Sequence, residues 1–260
     1  MMQIRKYPRT LHILDSRLQP GDEDLSAAGF EAIDGRHLAV EEKVDGSNTA
    51  ISFRPEGDLL LQSRGHYLTG GARERHFALF KSWAHGIAGL LRPVLGTRFI
   101  VYGEWVYAKH TIYYDALPAY FLESGVLDLE TGHFLATPER RALLAGLPLK
   151  SVPVLHEGQV TSPAMLTAMI RHSAYKTADW RANLAQMAAK PPHHPEIVAR
   201  QTDVSDLMEG LFIKVEEEGE VHARYKYVRH DFLTTVTNTE SHWHSRPILP
   251  NRLASGISWP

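Results

Sequence analysis

Val40-Glu41-Glu42-Lys43-Val44 and Thr49-Ala50-Ile51-Ser52-Phe53 flank a Gly46-Ser47-Asn48 turn, and this stretch decides the fold. Both arms are apolar or β-branched enough to be strands, and the residues between them carry turn chemistry. The join contains Lys43-Val44-Asp45-Gly46, a lysine in a Lys-x-Asp-Gly setting. A lysine there can act as a covalent nucleophile toward a nucleotide. Alone, the motif is more simply a charged strand-to-turn junction.

Outward from this stretch the chain alternates between strand-like and helix-like segments. Residues 59–64 predict a third strand. From Glu74 to Leu91 the apolar residues Phe77, Leu79, Phe80, Trp83, Ile87, Leu90 and Leu91 recur at mostly helical spacing. Residues 99–106, 119–122 and 125–128 return to strand character, and 139–144, 163–172 and 179–189 suggest helices. Pro191-Pro192-His193-His194-Pro195 breaks the chain before two last strands, 210–216 and 221–228, and its histidine pair reads as a solvated loop. The pattern is α+β, with mainly antiparallel sheets and flanking helices, and not a regular βαβ repeat.

Composition narrows the class. A chain of 260 residues with 43% hydrophobic content can fill a substantial core. The absence of cysteine excludes disulfides and thiolate metal sites and fits a reducing, cytoplasmic setting. The N-terminal residues lack the apolar run of a signal peptide, and no segment approaches the length of a membrane span, so no membrane partner is expected. A net charge of −2 argues against a protein that coats nucleic acid, yet leaves room for a local basic groove. The 15 histidines show no metal-ligand spacing.

Six segments then occur in order: Lys43-Val44-Asp45-Gly46-Ser47-Asn48, Ser63-Arg64-Gly65, Tyr102-Gly103-Glu104-Trp105, Tyr120-Phe121-Leu122, Glu209-Gly210-Leu211-Phe212-Ile213-Lys214 and Arg224-Tyr225-Lys226. The series resembles the covalent nucleotidyltransferase superfamily of ATP-dependent ligases and mRNA-capping enzymes. It is most similar to RNA ligases of the T4 RNA ligase 2-like family, over roughly residues 38 to 230. The resemblance implies an ATP-grasp-like ligase domain that seals RNA 5′-phosphate and 3′-hydroxyl ends through lysyl-AMP and adenylylated-RNA intermediates. It implies ATP, with AMP carried covalently on Lys43, and Mg2+ or Mn2+.

Carried over residue by residue, Lys43, Lys214 and Lys226 are the catalytic lysines. Glu42, Lys43, Asp45, Arg64, Glu104, Phe121, Glu209, Lys214, Arg224 and Lys226 form the nucleotide site. Within it Arg64 and Glu104 would contact ribose, Phe121 would stack on adenine, and Asp45 and Glu209 would organise the metal. Lys43 must shed its proton to attack near neutral pH, and Lys214 and Lys226 are the expected cations that make it less basic.

Plainer readings stand beside these. Glu209 and Lys214 could form a surface ion pair, Arg224 and Lys226 a solvated strand face, and Phe121 an ordinary core aromatic. Strand alternation does not put Glu209 and Lys214 on one face, whereas Arg224 and Lys226, two apart, share one and suit phosphates. Glu104 interrupts an apolar strand, where an unpartnered carboxylate is costly.

The chain departs from the family where Ser124-Gly125 replaces an aromatic-acidic pair, which puts the packing beside the adenine pocket in doubt. It departs again where Arg224 replaces a lysine. The 34 residues after Lys226 suggest a catalytic domain over 1–235, then a short C-terminal extension, 236–260, without an oligonucleotide-binding-fold domain. In that tail His242, Trp243, His244 and Arg246 could grip an RNA end, or the tail could pack back on the core. A separate polynucleotide kinase-phosphatase preparing the ends, in RNA repair, is the expected partner. The alternatives are a capping-type guanylyltransferase, a DNA ligase, or a non-catalytic nucleotide- or RNA-end-binding module.

Overall fold

The structure, a computed structural model, describes residues 4–13, 15–18, 26–232 and 247–259. Its strands are β1 (Leu11–Ile13), β2 (Ala27–Ala28), β3 (Leu38–Lys43), β4 (Ser47–Phe53), β5 (Leu59–Ser63), β6 (Phe99–Trp105), β7 (Phe121–Asp128), β8 (Phe134–Leu135), β9 (Lys150–Ser151), β10 (Val154–Gly158), β11 (Gly210–Glu217) and β12 (Glu220–Val228). The helices are α1 (Ala78–Leu95), α2 (Thr137–Leu144), α3 (Pro163–Thr167), α4 (Trp180–Ala188) and α5 (Pro195–Arg200).

The strands run in the order β10-β3-β11-β12-β8-β7-β6-β4-β5, antiparallel along the whole path. Parallel pairs occur only off that path, at β1–β12, β1–β2 and β7–β9. The two-residue β8 is the fold's corner. It pairs with β12 through two residues and with β7 through one. Two wings, β10-β3-β11-β12 and β7-β6-β4-β5, therefore meet across a cleft instead of continuing as one surface.

Each wing is apolar on its outer face, because alternate residues of a strand point oppositely. On the second wing Ile51, Phe53, Leu61, Val101, Trp105, Phe121 and Val126 pack against Phe80, Trp83, Ala84, Ile87 and Leu91 of α1. Those α1 positions recur every three or four residues, which makes one apolar stripe. On the first wing Leu38, Val40, Leu211, Ile213 and Val215 pack with Ile13, Ile33 and Leu166. Where the two inner faces meet near the corner, Ala50, Ile100, Tyr102, Leu127, Phe134 and Val221 form a third core.

The strands and helices match the sequence expectation closely for the long elements. Residues 119–122 and 125–128 belong to one strand, β7, and the helix expected over 163–172 stops at Thr167. The break at 191–195 is followed directly by α5, with Pro195 at its start. Residues 247–259 pack back on the domain: Asn251 is 1% exposed, and Trp259 joins Trp83, Trp105 and Tyr120. His242, Trp243, His244 and Arg246 lie outside the described residues. Among the described residues, no helix is long and apolar enough to cross a membrane.

Candidate active site

The β3–β11–β12 register builds one wall of the cleft. Glu41, Phe212 and Lys226 form one cross-strand row, and Ala39, Lys214 and Arg224 form the next. Lys43 lies two residues beyond Glu41, so Lys43, Glu41, Phe212, Lys214, Arg224 and Lys226 share the cleft face. The opposite wall brings Asn48, Arg64, Glu104 and Ser124. Lys43, Glu41, Phe212 and Lys226 from the first wall, these four from the second, and Tyr7, Pro8, Thr10, Glu42, Val44 and Val152 line a cavity between the wings; Lys214 and Arg224 do not border it.

Lys43 ends β3, and the short 44–46 link carries the chain across to β4 in the other wing, so these two strands are not a paired hairpin and Ser47-Asn48, expected in a turn, begin β4. Gly46 is required there, because a Cβ would meet Val106 at 2.7 Å and the Trp105 carbonyl oxygen at 3.0 Å. The Lys43 Nζ donates to Glu209 Oε1 at 2.6 Å. Glu209 enters from the residue before β11, next to Gly210, whose own Cβ would collide with the Tyr227 carbonyl oxygen at 1.9 Å. The Glu-Gly turn thus delivers the carboxylate to Lys43, away from Lys214.

Lys214 has different partners. It is 2% exposed and donates to Glu41 Oε1 at 2.8 Å and to the Ser124 carbonyl oxygen at 2.7 Å, bridging the two wings. Arg140 of α2 donates to the same Glu41 oxygen at 2.6 Å and to Glu123 at 3.2 Å. A surface pair between Glu209 and Lys214 is therefore excluded.

The electrostatics overturn one expectation. Burial alone would depress the Lys43 ammonium, but Glu209, then Asp45 and Glu104, outweigh it and hold its pKa above the ordinary value. Lys43 is a paired ammonium here, not a lysine made less basic by neighbouring cations. Lys214 moves the other way: burial lowers its pKa, and Arg140 adds to the fall while competing for Glu41. Burial also pushes Glu104 up to about 7, against the opposing pull of Lys43 and a hydrogen bond from Asn48.

Several further expectations need correction. Phe121 is fully buried on the outer face of its wing, with its ring stacked on Phe80 at 5.6 Å, and it does not line the cavity. It packs over Gly103, where any Cβ would meet the ring at 2.6 Å. The aromatic groups at the cavity are Phe212 and Tyr7. Tyr7 lies 3.6 Å from where a Cβ on Gly125 would stand, so the N-terminal segment fills space beside Ser124-Gly125.

Asp45 does not face the cavity either. Its Oδ2 accepts from the Thr111 and Ile112 amides at 2.7 and 2.8 Å, which ties the lysine's turn to the 106–117 loop. Glu42 borders the cavity but points its carboxylate to the other face of β3, where Ser173 Oγ and the Ala174 amide hold it. Arg224 and Lys226 share the cleft face as expected, yet only Lys226 borders the cavity. The Arg224 guanidinium lies 3.9 Å over the Phe134 ring and 5.7 Å from Tyr7, and its Nε and Nη2 find no partner among the described residues. Arg64 stands exposed at the cavity rim.

Sequence reasoning missed Tyr7, Glu41 and His110. His110 Nε2 lies 3.2 Å from Ser47 Oγ, and its Nδ1 is 3.9 Å from Asp45 Oδ1. The missed signal at Glu41 was available: it stands two before Lys43, so alternation places both on one face. Tyr7 and His110 come from irregular segments, where spacing carries no facing information.

Among the described residues, no group of three or more His, Cys, Asp or Glu side chains converges to hold a metal by itself. The local charge nevertheless suits a cation, because Glu209, Asp45 and Glu104 all act on Lys43 as negative neighbours. Mg2+ commonly takes one or two carboxylates and fills its remaining positions with water and phosphate oxygens.

A family model described as RNA ligase matches residues 36–228. No curated protein matches the sequence. Among solved structures, an archaeal ATP-dependent RNA ligase, form 1, has a TM-score of 0.51 at 19% identity, covering 88% of this chain and 49% of that one. Form 2 gives 0.50 at 17% identity with the same coverage. A Naegleria gruberi RNA ligase with PPi gives 0.48 at 18% identity, over 90% of this chain and 60% of that one. The chain thus spans about half the length of the archaeal proteins, and at these identities the likeness concerns the fold.

Proposed function

The chain belongs to the RNA ligase family, and we propose that it is an ATP-dependent ligase that seals RNA 5′-phosphate and 3′-hydroxyl ends through a lysyl-AMP on Lys43. The observation that carries this reading is the placement of Lys43 at the wall of a cavity between the wings, 2.6 Å from Glu209, with Lys226 at the same wall and Lys214 close behind it.

Deprotonated Lys43 Nζ attacks the α-phosphorus of ATP, and the bond to the bridging oxygen breaks as pyrophosphate leaves. An RNA 5′-phosphate oxygen then takes the AMP and frees Lys43, and the 3′-hydroxyl finally displaces AMP to form the phosphodiester. Glu209 Oε1 is the acceptor placed to hold the Lys43 proton before attack. Lys226, with Lys214 and the unpartnered donors of Arg224 behind the wall, supplies positive charge for the phosphates. Arg64 at the rim and Glu104 offer complementary hydrogen bonds to the ribose hydroxyls.

A divalent cation, Mg2+ or Mn2+, would offset phosphate charge and the carboxylate excess around Lys43. Glu209 is the side chain that would hold it, since Asp45 commits an oxygen to two amides and Glu104 faces the ribose in this reading. The nucleotidyltransferase domain in this reading covers residues 1–235. The packed 247–259 segment, from the C-terminal extension, acts as a brace on it: Asn251 accepts from the Tyr114 amide, and the Tyr114 hydroxyl accepts from the Asp45 amide. A cytoplasmic RNA-repair setting with a separate end-healing kinase-phosphatase completes the proposal.

Incubation with α-labelled ATP or GTP and Mg2+, beside Lys43→Ala, tests it. An AMP adduct on wild type, absent from the variant, supports the reading. A GMP adduct would transfer it to capping chemistry, and no adduct from folded protein would overturn it in favour of a binding module.

A further inference from the structure

A short basic segment crosses the mouth of the cavity, and the ligation chemistry above leaves it without a role. Residues 4–10, Ile4-Arg5-Lys6-Tyr7-Pro8-Arg9-Thr10, carry three cations and no carboxylate in a chain whose net charge is −2. At one end the Arg5 carbonyl oxygen accepts from Gln62 Nε2 at 2.8 Å and from the Tyr102 hydroxyl at 2.7 Å, both on the second wing. At the other end Leu11 and His12 of β1 pair with Tyr225 and Lys226 of β12, on the first wing. The segment is a strap from wing to wing.

Between its anchors the strap sorts its side chains by charge. Tyr7, Pro8 and Thr10 line the cavity, and the Tyr7 ring is held against Tyr102 and Phe134, 5.3 Å from each. Arg5, Lys6 and Arg9 are exposed and do not border the cavity. Gln62, which holds the start of the strap, stands two residues before Arg64 at the rim, and Lys226, at its far end, lines the cavity wall. The three cations therefore continue a basic band from Arg64 to Lys226 on the solvent side of the mouth.

A mononucleotide seated at Lys43 is taken up by the walls inside. A polymer whose end reaches Lys43 leaves through the mouth, and its phosphates repeat along its length. In a chain with no overall positive charge, only a local band can attract that repeat. On the ligase reading just given, we propose that Arg5, Lys6 and Arg9 hold the backbone phosphates of the RNA strand whose end is being joined. Contacts of this kind position a strand without reading its sequence. The strap itself is anchored by the Arg5 carbonyl oxygen and the Tyr7 ring, so the Arg5 and Lys6 side chains can be changed without releasing it.

The test is fluorescence anisotropy with a labelled, 5′-phosphorylated RNA, offered as a single strand and as a nicked duplex. The proteins are wild type, Arg5→Gln with Lys6→Gln, and a control, Lys190→Gln with Arg200→Gln, which removes the same charge from exposed positions that do not border the cavity. For the RNA that binds more tightly, the strap variant should flatten the slope of log affinity against log salt by roughly 1.4 to 1.8, the share of two phosphate contacts. Its affinity should fall roughly ten-fold near 0.2 M salt, and the control should follow wild type. Lysyl-AMP formation at saturating ATP should stay within about two-fold of wild type in both variants.

A strap variant with the wild-type slope overturns the proposal, and so does a control that loses as much. A raised KM for ATP with RNA affinity unchanged would assign the cations to the triphosphate and overturn it too, as would a wild type that forms lysyl-AMP but binds neither RNA. If wild type forms no lysyl-AMP, the ligase reading fails instead, and the anisotropy still decides whether the strap holds RNA.

Discussion

Two lysines on one cleft wall, Lys43 and Lys214, each meet a glutamate within 2.8 Å, yet their pKa values are shifted in opposite directions. Lys43 is surrounded by Glu209, Asp45 and Glu104, and its pKa is held up against the cost of desolvation. Lys214 shares Glu41 with Arg140, and desolvation wins. The difference lies in the count of charges and not in the contact distance. Around Lys214 two cations meet two carboxylates, Glu41 and Glu123, so the corner is balanced and can act as scaffold. Around Lys43 three carboxylates, Glu209, Asp45 and Glu104, all raise its pKa, and that negative charge is what an incoming cation can relieve.

The largest effect should separate the corners by chemistry. Lys43→Arg keeps a cation beside Glu209 but replaces the nucleophile with a group that does not deprotonate. Lysyl-AMP formation should fall by at least about 10⁴-fold, while urea unfolding stays within ~1 kcal/mol of wild type. At the balanced corner, Lys214→Arg should cost roughly 1–3 kcal/mol of stability, because a bulkier head must enter a filled site. Equal losses of stability at both corners would break the contrast.

Arg140→Leu comes next. It removes one cation from a buried network and leaves Glu123 with Ser151 as its remaining donor. Denaturant titration should show a loss of about 3–5 kcal/mol, the usual cost of uncompensated buried charge. With Arg140 gone, Glu41 belongs to Lys214 alone, so the Lys214 pKa should rise in 15N-detected NMR titration of the ammonium. No rise would mean that Arg140 is not what keeps Lys214 less basic.

Glu104 tests the imbalance at the other corner through pH. Its carboxyl titrates near 7 in the folded chain against 4.5 for the ordinary group, mainly because it is buried. The folded state therefore binds this proton more readily than the unfolded chain. The resulting stability is fully present below about pH 4.5 and is lost as pH rises through about 7. Glu104→Gln cannot titrate, so at pH 8, with EDTA present, it should be more stable than wild type by up to ~3 kcal/mol, and the gap should close below pH 5. A gap that is independent of pH would locate the effect in packing instead.

Much of this arrangement was legible in the sequence. Alternation along β12 places Arg224 and Lys226 on one face, and the long strands and α1 follow from their apolar periods, whereas the meeting of Lys43 and Lys214 with them on that face needs the β3–β11–β12 register. The misreadings cluster where period-two counting cannot decide. Phe121 and Leu122 are adjacent, so identifying the cleft-facing residue needs the register against β6, and a bulge at Tyr102/Gly103 interrupts that pairing. Asp45 sits in a turn, and its partners, the Thr111 and Ile112 amides, are 66 and 67 residues away. Tyr7 enters the cavity from a segment without regular structure, and only the tertiary fold brings it there.

Phe121 gives the smallest effect and the cleanest discrimination between two aromatic residues. Its ring is sealed between Phe80, Trp83 and the bare backbone of Gly103, on the far side of the wing from the cavity. Phe121→Leu should remove part of an aromatic core and lower stability by roughly 1–2 kcal/mol, with KM for ATP in the adenylylation reaction changed by less than about two-fold. Phe212, on the cleft face, should behave in the opposite sense: Phe212→Leu should raise that KM several-fold, as the loss of a base-stacking surface does, with a smaller stability loss because its ring is only partly buried. Adenylylation kinetics and denaturant melts on the pair decide which aromatic ring meets the nucleotide. A raised KM for Phe121→Leu at unchanged stability would show that β7 turns its other face to the cavity when ATP binds.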